Sequence, residues 1–482
     1  MCETPAPSVN QESDVNSIPA KLISLLISAS VSLGSPISVL AQNLDEEIQK
    51  PAIATSTQDD ALEAADEAEE HRAVEDNDGV TYADVLKDPD NIDLNYRWAK
   101  TQVANGDIKG ASITLERILM VDPALPKIRL FYGIVLYRLG NLQEALRELE
   151  AILALPMTSS LKNEVKAYIA RIKKKMRSTN WTASTGIGFQ YDTNHAASPA
   201  TGRRLFAGIP ITLLTGQRQE DFSYLFLLGM GVEHDLGTQA GHKLFANLNY
   251  YRAEQILLNT LDVQVYHWNL GAKLNGGRYG QFKISTPFDH LRLSEETYLR
   301  TYGLRLEWDR TLNNKLSLFT QLQGSKHDYV KTTDIPTATQ RTGDHYRIDY
   351  GLHYNLRPNQ RLTAGLGFTS QNARVESNAY DRHKIQLKHA WLLGKSRFLL
   401  SGVTLHLDKY REPDTAISPR DREDTTFRVG STFGMPLGAV WAPLKDVLWT
   451  FTYEYFHAGS SLINYAYTNN KVSTLFTYRW ES

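Results

Sequence analysis

From Asn180 to the end of the chain, apolar and polar residues alternate with a period of two. Trp181, Ala183, Thr185, Ile187, Phe189 and Tyr191 fall on one side of the first such stretch, with Thr182, Ser184, Gly186, Gly188 and Gln190 on the other. The alternation recurs through 298–308, 346–356 and 362–369 and returns at the end of the sequence, where Val472, Thr474, Phe476, Tyr478 and Trp480 alternate with Lys471, Ser473, Thr477 and Arg479. Period two is the side-chain repeat of a β-strand. A soluble sandwich and a membrane barrel both produce it, and aromatic placement separates them. Trp181, Tyr191, Trp308, Tyr346, Tyr354, Tyr478 and Trp480 stand at strand ends on the apolar side, as girdles at two membrane interfaces do. The opposite side carries Gly, Thr, Arg, Asp and Gln, which suit a wet lumen. At roughly 20–22 residues per strand and connection, 180–482 accommodates about fourteen strands of a transmembrane β-barrel. The intervals 330–344 and 409–424 are expected to be extracellular loops.

Upstream the period is helical, and it repeats. Gly106, Asp107, Ala111, Leu115, Glu116, Ile118 and Leu119 recur 34 residues later as Gly140, Asn141, Ala145, Leu149, Glu150, Ile152 and Leu153. Thirty-four residues is the tetratricopeptide period, in which a glycine lets the turn between paired helices close and an alanine permits close crossing. A partial third unit carries Val165, Tyr168, Ile169 and Ile172 and ends in the basic run 173–177. The expected architecture is multidomain, α followed by membrane β: a short helical solenoid over 82–177, then the barrel over 180–482. So short an array buries its ends poorly, since about three repeats are usually needed.

The remaining N-terminal sequence reads as processing and linker. Lys21 precedes an apolar core over 22–33 that is too short to span a bilayer, and Val39-Leu40-Ala41 offers a small-residue cleavage site, so 1–41 is expected to be a signal peptide. Residues 42–81 are acidic and rich in alanine, a solvated linker. The bulk charge adds little: 52 basic against 54 acidic residues gives a net charge of −2, with nothing to favour nucleic acid as a partner. The single cysteine, Cys2, excludes an intramolecular disulfide framework and a cysteine-built zinc site.

The order of signal peptide, short repeat array, Asn180-Trp181 at the junction, Gly188-Phe189-Gln190-Tyr191-Asp192-Thr193-Asn194, and Ser461-Leu462-Ile463-Asn464-Tyr465 leading to Lys471-Val472 and Tyr478-Arg479-Trp480 resembles the surface lipoprotein assembly modulators, the Slam family. The resemblance runs from about Asn91 to the end. It implies a periplasmic repeat domain, a fourteen-stranded outer-membrane barrel, and a role in bringing specific lipoproteins or secreted haem-scavenging effectors to the cell surface. It also implies a client protein, outer-membrane lipids and, during biogenesis, the barrel-assembly machinery as partners. This chain departs from the pattern in ending Trp480-Glu481-Ser482 and in its minimal repeat array.

Two groups of candidate site residues follow. Tyr96, Trp98, Tyr132 and Tyr137 are the candidate client contacts in a groove of the repeat domain. Trp181, Tyr191, Asp192, Asn194, Phe476, Tyr478 and Trp480 mark the seam where the first strand must meet the last. At Asp192 and Asn194 an Asx turn is the plainer expectation, and a calcium or client contact the sharper one. Thirteen histidines fall into no His-Glu-x-x-His pattern, and there is neither Gly-x-Ser-x-Gly nor a phosphate-cradling glycine loop. No catalytic residue, metal or cofactor is therefore expected. The competing reading is a polysaccharide-export porin with a repeat scaffold, which should line its lumen with acidic or aromatic residues. A lipid-modifying enzyme fails for want of a site.

Overall fold

The computed structural model describes residues 80–199, 202–212, 219–238, 240–394, 396–439 and 441–481. The expected signal peptide and all but the last two residues of the acidic linker lie outside the described residues. Two compact units divide between Ser178 and Thr179.

The first unit is helical: α1 (Tyr82–Lys87), α2 (Ile92–Ala104), α3 (Ile108–Val121), α4 (Pro126–Arg138), α5 (Leu142–Ile152) and α6 (Ser159–Lys175). Its 34-residue repeat is visible in the turns. Gly106 between α2 and α3 and Gly140 between α4 and α5 adopt φ of 79° and 82°, the left-handed region that glycine enters without steric cost. Asp107 then caps α3, its Oδ1 accepting from the Gly110 N–H at 2.9 Å. Helices cross closely where small residues recur, since a Cβ on Gly133 of α4 would stand 2.7 Å from Leu149 of α5. Ala99, Ala111, Leu115, Ala145, Leu149, Ile152, Val165 and Ile172 are fully buried in one core.

The second unit is a closed antiparallel barrel. Its strands are β1 (Thr179–Asp192), β4 (Asp221–Asp235), β5 (Lys243–Gln255), β6 (Val263–Asn275), β7 (Gln281–Leu293), β8 (Glu296–Thr311), β9 (Leu316–Tyr329), β10 (Gly343–Arg357), β11 (Gln360–Gln371), β12 (Tyr380–Gly394), β13 (Arg397–Tyr410), β14 (Glu423–Pro436), β15 (Val447–Ser460) and β16 (Tyr467–Glu481). The intervening β2 (Arg203–Phe206) and β3 (Ile209–Thr212) form a separate hairpin. Fourteen strands thus close on one another, with β1 paired to β4 on one side and to β16 on the other.

The burial pattern is that of a protein turned inside out. On β4, Phe222, Tyr224, Leu228, Met230 and Val232 are exposed, while Asp221 and Ser223 between them are buried. On β8, Tyr302, Leu304 and Leu306 are exposed, and Thr301 faces inward and is buried. An outward belt of large apolar side chains ringed by aromatics needs hydrocarbon around it, and a closed barrel leaves no unpaired strand edge inside it. No described helix is long and apolar enough to cross a membrane; the strands make the crossing.

The two ends differ. At the end that holds the start of β1 and the close of β16, connections are short, from 358–359 and 395–396 up to 437–446. The far end carries the longest ones: 193–220, 330–342 and 411–422. Short turns face the periplasm and long loops the exterior in barrels of this kind. Two of the long loops coincide with the expected 330–344 and 409–424, with the strands reaching a residue or two further in. The longest, 193–220, has no period to betray it, and the sequence reading passed over it. One side chain also departs from the expected alternation. Tyr298 was grouped with outward Tyr302, but a register shift at Leu291/Arg292 turns it into an apolar cluster with Leu261, Leu291, Leu293, Leu299, Ile335 and Ala338. That cluster seats the 330–342 loop on β6–β9.

If the exposed belt faces lipid, Leu306→Arg near its middle should cost roughly 2–4 kcal/mol. Gln321→Arg, across the strand pair on the inward face, should cost less than about 1 kcal/mol. Denaturant unfolding of the barrel in phospholipid vesicles measures both.

Candidate functional site at the barrel seam

The seam is the one place where the barrel depends on residues nearly three hundred positions apart, and its register is continuous from Thr182↔Glu481 to Asp192↔Lys471. Outward along it lie Trp181, Ile187, Phe189 and Tyr191 of β1 and Phe476 and Trp480 of β16, all exposed or half-buried. Tyr478 and Trp480 meet edge-on with centroids 4.6 Å apart near the terminus end. Tyr191 is at the far end, tilted against Phe222 at 4.7 Å, its hydroxyl donating to Glu220 at 2.5 Å. The aromatic candidates therefore split between the two ends of the seam.

Asp192 and Asn194 do come together with the last strand. Each is only 2 % exposed. The Asp192 carboxylate lies 3.6 Å from Lys471 Nζ and 3.5 Å from His195 Nδ1, and its Oδ1 accepts the Asn194 N–H at 2.9 Å. That last bond is the expected Asx turn, and the arrangement extends beyond it. Asn194 Nδ2 donates to the Ser198 carbonyl at 2.9 Å and the Thr468 carbonyl at 3.1 Å, while its Oδ1 accepts the Ser198 N–H at 3.0 Å. Its own N–H is shared with Asn469 Oδ1 at 3.0 Å. Thr193 and Asn470 exchange two further bonds, Thr193 N–H to the Asn470 carbonyl and Asn470 N–H to Thr193 Oγ1, both at 2.9 Å.

These contacts lace the end of β1 to the start of β16. Buried polar groups carry a desolvation cost unless paired, so the bonds made by Asp192, Thr193 and Asn194 hold the two strands in one geometry, although His195 Nδ1 and Ser198 Oγ beside them are buried without a hydrogen-bond partner. Among the described residues no group of three His, Cys, Asp or Glu is placed to hold a metal ion. The chemistry is that of a clamp, with no reacting group in it. Of the partners of the signature, Lys471 is marked in the sequence by the terminal pattern, whereas Asn469 and Asn470 are not; their position opposite Asp192 near the other end of the chain is the available signal.

In the helical unit, the four candidate contacts serve separate ends. Tyr132 is buried in the core, and Tyr137 packs against it. Tyr96 meets Phe131 edge-on at 5.8 Å, and Trp98 lies beside Tyr82 at 6.1 Å. Exposed apolar surface is found instead on α3, where Ile113 is 68 % and Met120 77 % exposed. Seven residues apart, these two share a helix face.

Inside the barrel, charges are matched across neighbouring strands. Glu233 is bridged by Lys243 and Lys273, and Lys283 by Glu307. Asp349 sits between Arg347 and Lys384, Arg382 makes two bonds to Asp408, and Arg428 faces Glu454. These inward groups are of both signs, while Arg305 and Arg361 bond to the neutral Gln323 and Asn355.

Residues 263–479, from β6 nearly to the end of β16, match the family described as surface lipoprotein assembly modifier. Over these residues the barrel is similar to that family. The match includes the β16 half of the clamp, Thr468 to Lys471, and leaves Asp192 and Asn194 outside its span. Among solved structures, the outer-membrane channel DcaP of Acinetobacter baumannii is similar over 63 % of this chain and 97 % of its own at 8 % identity, with a TM-score of 0.36. The anion-selective porin from Comamonas acidovorans aligns over 63 % and 99 % at 11 % identity and a TM-score of 0.35. OccAB1 of A. baumannii aligns over 63 % and 97 % at 9 % identity and a TM-score of 0.33. No curated protein matches the sequence. The protein is an outer-membrane β-barrel.

Asn194→Ala leaves the Ser198 N–H and the Thr468 carbonyl without their partner, and should lower barrel stability by about 1–3 kcal/mol. Asn194→Asp, which sets a second buried carboxylate close to Asp192 and against two carbonyl oxygens, should cost at least as much. Thermal unfolding in detergent, read by the gel shift between folded and unfolded barrel, provides the comparison.

Proposed function

We propose that the protein is a translocator that delivers specific lipoproteins, or secreted effectors, across the outer membrane to the cell surface. The observation that carries this reading is the surface lipoprotein assembly modifier match over 263–479 on a closed fourteen-stranded barrel. The helical unit precedes β1, whose first residue lies at the end with the short connections, so the repeat domain is assigned to the periplasm. There it receives a client, with the exposed Ile113/Met120 face of α3 as first contact. Its 34-residue period and glycine turns support a tetratricopeptide-like scaffold, a class that commonly binds extended segments.

The lumen argues against the export porin. A conduit for an extended glycan presents repeated aromatic or one-sign polar groups, whereas Glu233, Lys283, Asp349, Arg382 and Arg428 here each face an opposite charge. The far mouth is also narrowed by folded loops, with Ile335 and Ala338 packed on one side and Ala197 packed against Ala458, Tyr467 and Phe456 on the other. A lipid-anchored client gains from another path. If β1 and β16 part, its acyl chains stay in the membrane while the polypeptide crosses beside them.

Deletion of 82–176 should remove a specific client from the surface while capsule and exopolysaccharide stay unchanged. Ile113→Asp with Met120→Asp should reduce client display by about tenfold or more without loss of barrel, because a charged face cannot dock an apolar segment. Antibody labelling of the client on intact cells reads the effect. A lost glycan with normal client display would return the assignment to the porin.

A further inference from the structure

The 193–212 segment leaves β1 at the seam's far end and does not stay on its own side. After the clamp, Ala197 turns with a φ of 46° and packs against Phe456, Ala458 and Tyr467 on the inner wall of β15 and β16. The β2–β3 hairpin continues past the 461–466 connection, where the Asn464 side-chain amide accepts the Leu205 N–H at 2.6 Å and donates to the Leu205 carbonyl at 3.1 Å. The hairpin tip then bonds to the 411–422 loop: Ala207 N–H to the Ala416 carbonyl at 3.0 Å and Gly208 N–H to the Ile417 carbonyl at 2.8 Å.

A two-stranded hairpin is marginal alone and has two open edges. Here both are managed. Asn464 takes up the free backbone groups of Leu205 on β2, and on β3 Pro210 has no N–H to offer. The loop it rests on is itself fixed. Arg422 lies between the rings of Tyr410 and Tyr465, at 4.1 and 3.3 Å from their centroids, with Nε bonded to Asp424 at 2.9 Å. Burial pushes the Tyr465 phenol above its ordinary range, so the ring stays neutral beneath the guanidinium.

From these contacts we infer that the described stretches 193–199 and 202–212 act as a strap that crosses the seam and holds its extracellular end shut, so that β1 and β16 part from the end where β1 starts and β16 closes and the Asp192–Asn194 clamp acts as the hinge. The span is what matters. Starting on β1, the strap is fastened to β16, to the connection between β15 and β16, and to the loop between β13 and β14, so separating β1 from β16 at the far end breaks all of these bonds together. Toward the terminus end, β1 runs on through Thr179–Trp181 along β4, past its last position paired with β16. Midway, Gly186 and Gly188 put no side chain on the inner face. This inference rests on the translocator reading and specifies where in the barrel that reading acts.

The test uses the full-length protein with Cys2 replaced by Ser and two alternative cysteine pairs across the seam. Ser184→Cys with Arg479→Cys links the terminus end, and Gln190→Cys with Ser473→Cys links the far end; both are register partners on the same face. The terminus-end disulfide should block client display about tenfold or more, reversibly with reductant, while the far-end disulfide leaves display within about twofold. Equal block by both overturns the inference, and so does block by neither. If neither link matters yet deletion of the gene still abolishes display, translocation stands and only the strap falls.

A client-free readout separates the two further. In lipid nanodiscs, amide exchange over 182–187 should run about tenfold faster than over 189–194, and Asn464→Ala should narrow that gap by loosening the far end. Equal protection along the seam, with or without Asn464, would overturn the strap whatever the client does.

Discussion

A bilayer offers no water to an unpaired backbone, so this barrel exists only if its first strand finds its last. That one closure must be made between Thr179–Asp192 and Tyr467–Glu481, with most of the chain threaded between them. The remaining strand pairs in the barrel join neighbours linked by a turn or loop, and proximity helps them. The seam relies on its own ladder and on side chains along it, above all those at its far end. There the protein has placed a buried polar network: Asp192 against Lys471, Asn194 threaded into two carbonyls, Thr193 and Asn470 bonded in both directions. A network of this kind is worth more than its separate bonds, because each broken member leaves another buried group unsatisfied.

The rest of the barrel follows from which face meets lipid. Outward positions are apolar and exposed, inward ones are polar and matched in charge, and the far mouth is lined with folded loops.

Much of this was legible from residue order. Alternation at 181–191 and 472–480 is enough to place both seam strands and their lipid-facing sides, because period two carries over directly to the pleat. Gly106 and Gly140 mark the helical turns because few other residues adopt their backbone conformation readily. What stayed hidden was contact without period. The hairpin at 203–212 and its bonds to Asn464, Ala416 and Ile417 join loops hundreds of residues apart, and no local pattern encodes them. Tyr298 looked outward until the register shift beside it turned it into the mouth. On the helical unit, aromatic residues drew attention as binding groups, yet Tyr132 is core and the open apolar surface is Ile113 and Met120. Composition alone cannot say which face of a repeat helix its neighbours will cover.

The most direct measurement is an inventory of peptides released by protease from intact cells with and without this gene. The account predicts that one or a few lipoproteins or secreted proteins leave the surface fraction, accumulate in the periplasm, and return on complementation. An unchanged surface inventory, with the protein present and folded in the outer membrane of the control cells, would contradict it.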